Sequence, residues 1–212
     1  MPDITLLITS CNRYDLLDRT LQTFTTFDTS GFVSEIIVVE DGETGPVDIC
    51  RKYRAKLVTT GRRVGQSKAI DIGYSLIRTP YVFHCEDDWE FYRSGFIEKS
   101  FRVLEVDLAC ICIWLRAWND TNGHPLRFAS DCKTYGIMDF HHVGVWNGFT
   151  WNPSLRRLSD MRKCLPVAPD SASTGIPGEV LMSKRFFQLG YHAVILDEGG
   201  YVRHLGGDRH VD

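Results

Sequence analysis

The chain has 212 residues, of which 43% are hydrophobic and 24% are charged, with a formal net charge of −3. This length suits one domain with a large core, and the lack of a basic excess argues against a nucleic-acid partner. The chain shows no secretory signal, and no window reaches the roughly eighteen apolar residues of a membrane span. An odd number of cysteines, seven, without a CxxC pair indicates reduced thiols. We therefore expect a cytoplasmic protein without a transmembrane segment, and peripheral membrane contact stays open.

The first half of the chain alternates apolar runs with helical periodicity. Four strands are predicted, at residues 4–9, 35–39, 56–60 and 81–85. Their near-continuous apolar character is typical of a parallel sheet covered on both faces. Helices are predicted over 16–24 and over about 67–77, the second with Ser67 as its N-cap. The pattern indicates a doubly wound α/β arrangement.

The second half continues with a helix over 96–105 and a strand over 108–115. Between 116 and 177 the periodicity fades and Trp, Asn, Pro and Gly accumulate, which predicts a loop-rich section that carries substrate contacts. A helix over about 178–189, ended by Gly190, and a strand over 193–196 follow. No linker or internal repeat interrupts the sequence, so we expect one domain.

Three consecutive acids, Glu86, Asp87 and Asp88, directly follow the fourth strand. Adjacent carboxylates repel one another and raise each other's pKa values unless a cation lies among them. The simplest occupant is a hard divalent cation, Mg²⁺ or Mn²⁺, which usually also binds substrate phosphates. The alternative is a solvated acidic turn that favours the N-terminus of a helix.

The loops after the first two strands bring polar side chains to the same sheet edge: Thr9, Ser10, Asn12, Glu40 and Asp41. Asp41 could accept a hydrogen bond from a base N–H or a ribose hydroxyl, or Asp-Gly could be simple turn chemistry. No GxGxxG follows the first strand and no GxxxxGK[ST] occurs, which argues against dinucleotide and P-loop sites.

Basic and titratable residues elsewhere leave two interpretations open. Arg62, Arg63 and Lys68 could contact phosphate beside Gly65, or form a solvated charged loop. Glu179, at the start of the late helix, could be a general base or merely a favourable first-turn acid. His204 could be an additional metal ligand or a structural histidine.

Five segments occur in an order known from one enzyme family. They are TLLITSCNRYDLLDRTLQTF, EIIVVEDGE, GQSKAIDIGYSLIRTPYVFHCEDDWEF, GEVLMSKRFFQLGY and YVRHLGG. Together they resemble the GT-A fold nucleotide-sugar transferases, particularly the large inverting family 2. The resemblance implies a single GT-A domain over 1–212, with a Rossmann-like, doubly wound mixed sheet and helices on both faces. Its nucleotide-binding half would be about 1–90 and its acceptor-binding half about 91–212.

The resemblance also implies roles for individual residues. The nucleotide-binding residues would be Thr9, Cys11, Asn12, Arg13, Asp41, Arg62, Lys68, Glu86 and Asp87. Asp88 and His204 would hold Mn²⁺ or Mg²⁺. Glu179 falls where the family has its catalytic-base Asp, and Gly178 replaces the preceding Glu. Trp151 and Asn152, within GFTWNPSLRR, would face the sugar or the acceptor, with core packing as the alternative for the Trp ring.

The implied activity is transfer of a sugar from a nucleoside-diphosphate sugar, with UDP or GDP as the carrier, to a glycan or another hydroxyl acceptor with inversion. One alternative is a non-catalytic nucleotide-sugar binding module. A nucleotidyltransferase of related fold would need a glycine-rich, basic signature after the first strand, where this chain has SCNRYD. A metal-dependent phosphohydrolase would need a second ligand set, for which only His141 and His142 offer a hint.

Overall fold

The computed structural model describes residues 3–129, 132–138 and 147–207. In chain order the elements are β1 (Ile4–Ser10), α1 (Tyr14–Phe27), β2 (Val33–Glu40), α2 (Val47–Lys52), β3 (Lys56–Thr59), α3 (Gln66–Leu76), β4 (Tyr81–Glu86), β5 (Trp89–Phe91), α4 (Phe96–Val106), β6 (Cys110–Trp114), β7 (Leu126–Ala129), β8 (Cys132–Met138), β9 (Ser154–Arg157), α5 (Leu158–Met161), α6 (Ala168–Thr174), α7 (Gly178–Gln188), β10 (His192–Ile195) and β11 (Val202–His204). No helix in these ranges is both long and apolar enough to span a bilayer.

The central sheet has the strand order β3-β2-β1-β4-β9. β1 pairs in parallel with β2 and with β4, whereas β9 joins β4 antiparallel, so the sheet is mixed. The chain winds outward from β1 to β3 and then returns to place β4 on the other side of β1. This reversal opens a crevice beyond the carboxyl ends of β1 and β4, where ligands of open α/β sheets bind.

Helices cover both faces of the central sheet. Successive residues of a strand point to opposite sides of the sheet, so each strand contributes to a core on either face. Leu6 and Ile8 of β1 pack into a core with α1, α2 and α4. Leu7 points the other way, into a second core with α3, α5 and α7. The predicted mixed α/β architecture with helices on both faces is confirmed.

Two smaller sheets complete the fold. One has the order β6-β10-β8-β7, and the other pairs β11 antiparallel with β5. In this pairing His204 lies opposite Trp89, so the late strand returns to the residues that follow the acid cluster. The two-stranded sheet thereby brings positions more than a hundred residues apart in the chain to the same end of β4.

One prediction about local structure is wrong. The N-cap of α3 is Gly65, with φ +88°, and no side chain caps this helix, so Ser67 is not its N-cap. The section from 116 to 177 contains long loops, and it also contains five short elements that were not predicted: β7, β8, β9, α5 and α6. The end of the late helix is as predicted: α7 stops before Gly190, which has φ +83°.

Candidate functional site

A cleft of about 580 Å³ opens at the crevice beyond β1 and β4. The strand register explains its composition, because Thr9 of β1 pairs with Glu86 of β4, and Ser10 pairs with Glu40 of β2. The loop before α3 and the end of β11 complete the walls. The residues that line the cleft are Thr9, Ser10, Cys11, Arg13, Asp41, Arg63, Gly65, Gln66, Ala69, Glu86, Asp88 and His204.

The turn after β1 is fixed by hydrogen bonds to neighbouring carboxylates. Asn12 has φ +55°, and its backbone N–H donates to Glu40 Oε1 at 2.8 Å. The backbone N–H of Cys11 donates to Asp87 Oδ2 at 3.3 Å. Arg13 donates to both Asp87 and Asp88, so this turn is tied directly to the end of β4.

Asp41 fixes the loop that forms another wall of the cleft. Its two carboxylate oxygens accept hydrogen bonds from the backbone N–H groups of Val64, at 2.7 Å, and Gly65, at 2.8 Å. Thr60 Oγ1 donates to Asp41 Oδ1 at 3.1 Å. Asp41 therefore does more than form a turn with Gly42, because its hydrogen bonds anchor the segment that carries Arg63 into the cleft.

The acid cluster, Glu86, Asp87 and Asp88, contains carboxylates in different electrostatic states. Burial and the charge of Asp88 raise the pKa of Glu86 to about 8. Burial raises the pKa of Asp87 to about 6, against the influence of Arg13. Burial also acts to raise the pKa of Asp88, but His204 and Arg13 outweigh it and lower that pKa below its ordinary value. A bound cation would stabilise such a cluster.

Asp88 has one carboxylate oxygen in use and one without a partner. Its Oδ2 accepts from Arg13 Nη1 at 2.7 Å and lies 3.1 Å from His204 Nε2. Its Oδ1 is buried and has no hydrogen-bond partner. The hydrogen bond with Asp88 raises the pKa of His204. A buried, unpaired carboxylate oxygen beside an imidazole is a donor set that a divalent cation can use.

Glu179 lies in the first turn of α7 and is held by the chain that precedes β9. Its Oε2 accepts hydrogen bonds from Thr150 Oγ1 at 2.8 Å and from the backbone N–H of Trp151 at 2.9 Å. Burial raises the pKa of Glu179, and these two hydrogen bonds oppose that shift. The charge of Glu179 also raises the pKa of Glu86, so the two carboxylates interact, but Glu179 is not among the residues that line the cleft.

This geometry can be compared with known proteins. The sequence profile of the family described as glycosyl transferase family 2 matches residues 5–170. The chain belongs to this family. The match covers β1 to α5 and includes the acid cluster, and it confirms the family indicated by the motifs. It ends before Glu179 and His204. No curated protein matches the chain by sequence.

Solved structures resemble almost the whole chain, including the part beyond the family match. The crystal structure of S. aureus TarS 1–349 superposes with a TM-score of 0.65 at 12% identity, over 94% of this chain and 59% of that one. A second crystal structure of S. aureus TarS gives a TM-score of 0.62 at 14% identity, over 94% of this chain and 36% of that one. The family 2 chain thus spans little more than half of the first TarS chain and about a third of the second. The likeness confirms the GT-A fold.

The structure brings most of the predicted nucleotide-binding residues of this family 2 chain together. Thr9, Cys11, Arg13, Asp41 and Glu86 line the cleft with the predicted metal ligands. The remaining predicted residues do not line it: Asn12, Arg62, Lys68 and Asp87. Of these, Asp87 is fully buried behind the turn after β1.

Two further cleft residues, Arg63 and Gln66, lie on the loop before α3 and in its first turn. Arg63, rather than its neighbour Arg62, reaches the cleft. Gln66 was missed, and its Nε2 donates to Glu86 Oε1 at 2.7 Å. The only signal for Gln66 in the sequence was its place at the start of a predicted helix that leads toward the acid cluster.

Trp151 and Asn152 belong to the segment that holds Glu179. Trp151 is 1% exposed, and its ring packs against His84 and Phe149, with centroid distances of 5.1 and 4.9 Å. This placement favours the core-packing alternative for the indole. Asn152 is half-buried, and neither residue lines the cleft. His141 and His142, the hint of a second metal set, lie outside the described residues.

The residues at the cleft fit a divalent cation that takes some of its ligands from the protein and the others from a substrate. Across the described ranges, no three His, Cys, Asp or Glu side chains are arranged to hold a metal ion by themselves. Mg²⁺ characteristically takes one or two carboxylates and completes its shell with phosphate oxygens and water. Asp88, with its unpaired Oδ1, and His204 provide a protein contribution of that size.

Proposed function

We propose that this family 2 protein is a metal-dependent glycosyltransferase that moves a sugar from a nucleoside-diphosphate sugar to an acceptor hydroxyl, with inversion. The observation that carries the proposal is the acid cluster with the buried, unpaired oxygen of Asp88, together with the carboxylate of Glu179, which Thr150 holds and whose charge acts on Glu86. Family membership supports a nucleotide-sugar donor and an acceptor. UDP or GDP is the expected carrier, and the acceptor is a glycan or another hydroxyl compound.

The cleft provides groups for each part of the donor. We expect Thr9 and Cys11 to contact the base, together with the loop that Asp41 fixes. Arg13 and Arg63 are the cations that line the cleft and suit the diphosphate. Asp88 and His204 would hold Mn²⁺ or Mg²⁺, and the bound cation would neutralise charge on the leaving diphosphate.

Glu179 is the proposed general base. Its carboxylate takes the proton of the acceptor hydroxyl while the hydroxyl oxygen forms a bond to the anomeric carbon. The bond from that carbon to the diphosphate oxygen breaks, and the nucleoside diphosphate leaves with the electron pair. Attack opposite the leaving group inverts the anomeric configuration. Burial raises the pKa of Glu179, so the rate should fall as the pH drops through that pKa, because a protonated carboxyl cannot accept the proton.

The first test is thermal unfolding with UDP or GDP, each with and without Mn²⁺, on wild type and Asp88→Asn. A ligand that binds only the folded state raises the Tm by mass action, by about 5 °C or more near saturation. We expect one diphosphate to stabilise the wild type only with Mn²⁺, and Asp88→Asn to abolish this shift.

The matched control is Asp107→Asn. Asp107 also pairs with a histidine, His192, at 2.8 Å, but neither residue lines the cleft. Asp107→Asn should keep the full Mn²⁺-dependent shift. If no diphosphate shifts the wild-type Tm in either condition, the cleft is not a nucleotide-sugar site. If Asp88→Asn responds like wild type, Asp88 does not hold the metal.

Glu179→Gln separates an enzyme from a binding module. We expect the variant to keep the diphosphate-dependent shift in Tm and to lose about 10²- to 10⁴-fold in the release of nucleoside diphosphate from UDP- and GDP-hexoses. Binding without any release in the wild type would instead indicate a non-catalytic nucleotide-sugar binding module. Unchanged release in Glu179→Gln would exclude Glu179 as the base.

A further inference from the structure

Arg156, on β9, is a cation that is completely buried in the core. Its Nη1 donates to the hydroxyl of Tyr74 at 3.1 Å, and its Nη2 donates to the backbone carbonyls of Thr150 and Asn152. Its Nε has no hydrogen-bond partner, and no carboxylate of the described residues forms an ion pair with it. A buried charge held only by neutral groups is costly for folding.

Packing alone does not explain this arginine. The guanidinium lies over the rings of Phe149 and Trp151, 4.9 and 5.3 Å from their centroids, which recovers part of the cost. A methionine or leucine would fill the same space without a buried charge. Unlike these apolar side chains, the guanidinium donates hydrogen bonds to the backbone carbonyls of Thr150 and Asn152.

Two of these three residues, Thr150 and Trp151, also hold the proposed base. Thr150 bonds in two directions, since its carbonyl accepts from Arg156 and its Oγ1 donates to Glu179. The next backbone N–H, that of Trp151, donates to the same oxygen of Glu179. A continuous chain of contacts therefore runs from the buried guanidinium to Oε2 of the carboxylate.

We propose that Arg156 is a positioning residue for Glu179. Its guanidinium fixes residues 150–152, and Thr150 and Trp151 in turn orient the carboxylate through Oε2, so that Oε1 takes the acceptor proton. This inference rests on the proposed function, because it assigns a partner to the base of the proposed reaction. The inference goes beyond the proposed function because it assigns a role to Arg156, which does not line the cleft.

Charge supports the geometry. The groups that act on Glu179 are Glu86 at the end of β4, Arg156 on β9, and the Thr150 and Trp151 donors. Burial raises the pKa of Glu179, and the positive charge of Arg156 lowers it. Without Arg156 the pKa of Glu179 should rise further, and the activity should then be lost at a higher pH as the medium is acidified.

The test compares Arg156→Met and Arg156→Lys with Thr150→Val, which removes the hydroxyl donor, and Thr150→Ser, which keeps it. Release of nucleoside diphosphate from UDP- and GDP-hexoses is measured with Mn²⁺ and water as the acceptor, over a range of pH. The carboxyl infrared band of Glu179, obtained by difference from the same variant carrying Glu179→Gln, reports protonation without any turnover.

The matched control is Arg157→Met. Arg157 is the next residue of β9 and also donates to backbone carbonyls, those of Leu104, Leu108 and Cys110, but none of these contacts leads to Glu179. Arg157→Met should lower the Tm while kcat and the pH profile stay as in wild type.

We expect kcat to fall about a hundredfold in Arg156→Met and about tenfold in Thr150→Val, with an unchanged donor KM. The acidic limb of the pH profile and the infrared titration should both move to higher pH in Arg156→Met. Arg156→Lys keeps the charge without the planar fork, so it should lose kcat with a smaller pH shift. Thr150→Ser should retain kcat.

The proposal is overturned if Arg156→Met and Thr150→Val keep the wild-type kcat and infrared titration, or if Arg157→Met loses kcat equally. Where Arg156→Met does not fold, Arg156→Lys and Thr150→Val decide in the same way. Failure of the proposed function has another signature: the wild type releases no diphosphate, or Glu179→Gln releases it unchanged. The infrared titration then still shows whether Arg156 controls Glu179.

Discussion

Gly206 passes directly against the carboxylate of Asp88, and only the absence of a side chain permits this approach. A Cβ at position 206 would lie 2.2 Å from Asp88 Oδ2. The carboxylate cannot readily turn aside, because Arg13 and His204 contact the same oxygen. We expect Gly206→Ala to displace the carboxylate of Asp88 and therefore to weaken Mn²⁺-dependent binding of UDP or GDP about tenfold or more. Calorimetry measures this affinity.

The adjacent glycine is the control for this prediction. Nothing lies within 4 Å of the position that a Cβ would take at Gly207. Gly207→Ala should therefore bind the diphosphate like wild type. Equal losses in both variants would mean that the loop after β11 matters for its flexibility and not for its approach to Asp88.

Individual site residues differ in how far the sequence predicts them. Asp88 and Glu86 were predictable, because acids that follow a buried strand must reach the sheet edge. Arg156 was not, since an arginine in the polar segment SLRR predicts a solvated side chain, yet this one is fully buried. The core position of Trp151 depends on partners such as His84, which are distant in sequence. Tertiary neighbours, which no local pattern specifies, decided these two cases.

At the scale of elements, Glu90 ties three segments together. It is 4% exposed on β5, and its carboxylate accepts from Arg19 of α1, with Nε at 2.9 Å, and from Arg203 of β11. β11 also carries His204, so this contact fixes the strand that delivers a predicted metal ligand. The strands that it joins are only three residues long and need such support.

We expect Glu90→Gln to lower the free energy of unfolding by about 1–2 kcal/mol, because charge-assisted hydrogen bonds to both arginines are lost. The loss stays moderate since both arginine side chains are half-exposed or more and can turn to water. Urea unfolding measures it. Asp48→Asn, which breaks an exposed pair with Arg51, should change the free energy by less than about 0.5 kcal/mol. Equal effects would contradict the stabilising role of Glu90.

The same elements show why some parts of the fold were predictable. β1, β4 and the second half of β2 are buried on both faces, so their apolar runs are continuous and visible in the sequence. β5 and β11 have three residues each and pair across more than a hundred positions, so neither carries a local signal. β9 reads as polar because two of its four residues are arginines, and α6 has no buried residue that could create a periodicity.

At the scale of the whole molecule, the predicted nucleotide-binding half, about 1–90, depends on the remainder of the chain. β9 forms the edge of the central sheet beside β4, and β11 pairs with β5. β9 is in turn joined to β6, because Ser154 Oγ accepts from the backbone N–H of Ile113 at 2.8 Å. One hydrophobic core contains residues of β1, α1, α4, β6 and β10. The halves predicted from the resemblance therefore share a sheet and a core.

This shared core predicts that the chain unfolds as one cooperative unit. In urea, tryptophan fluorescence and far-UV circular dichroism should give coincident transitions, since both hydrophobic cores of the described residues contain residues of the two halves. A fragment that ends at residue 91 would lack β9, β11 and the helices α4, α5 and α7, which contribute to the two cores, so it should show no cooperative transition. Two separate transitions in the whole chain, or a fragment that unfolds cooperatively, would mean that the nucleotide-binding half is an independent domain.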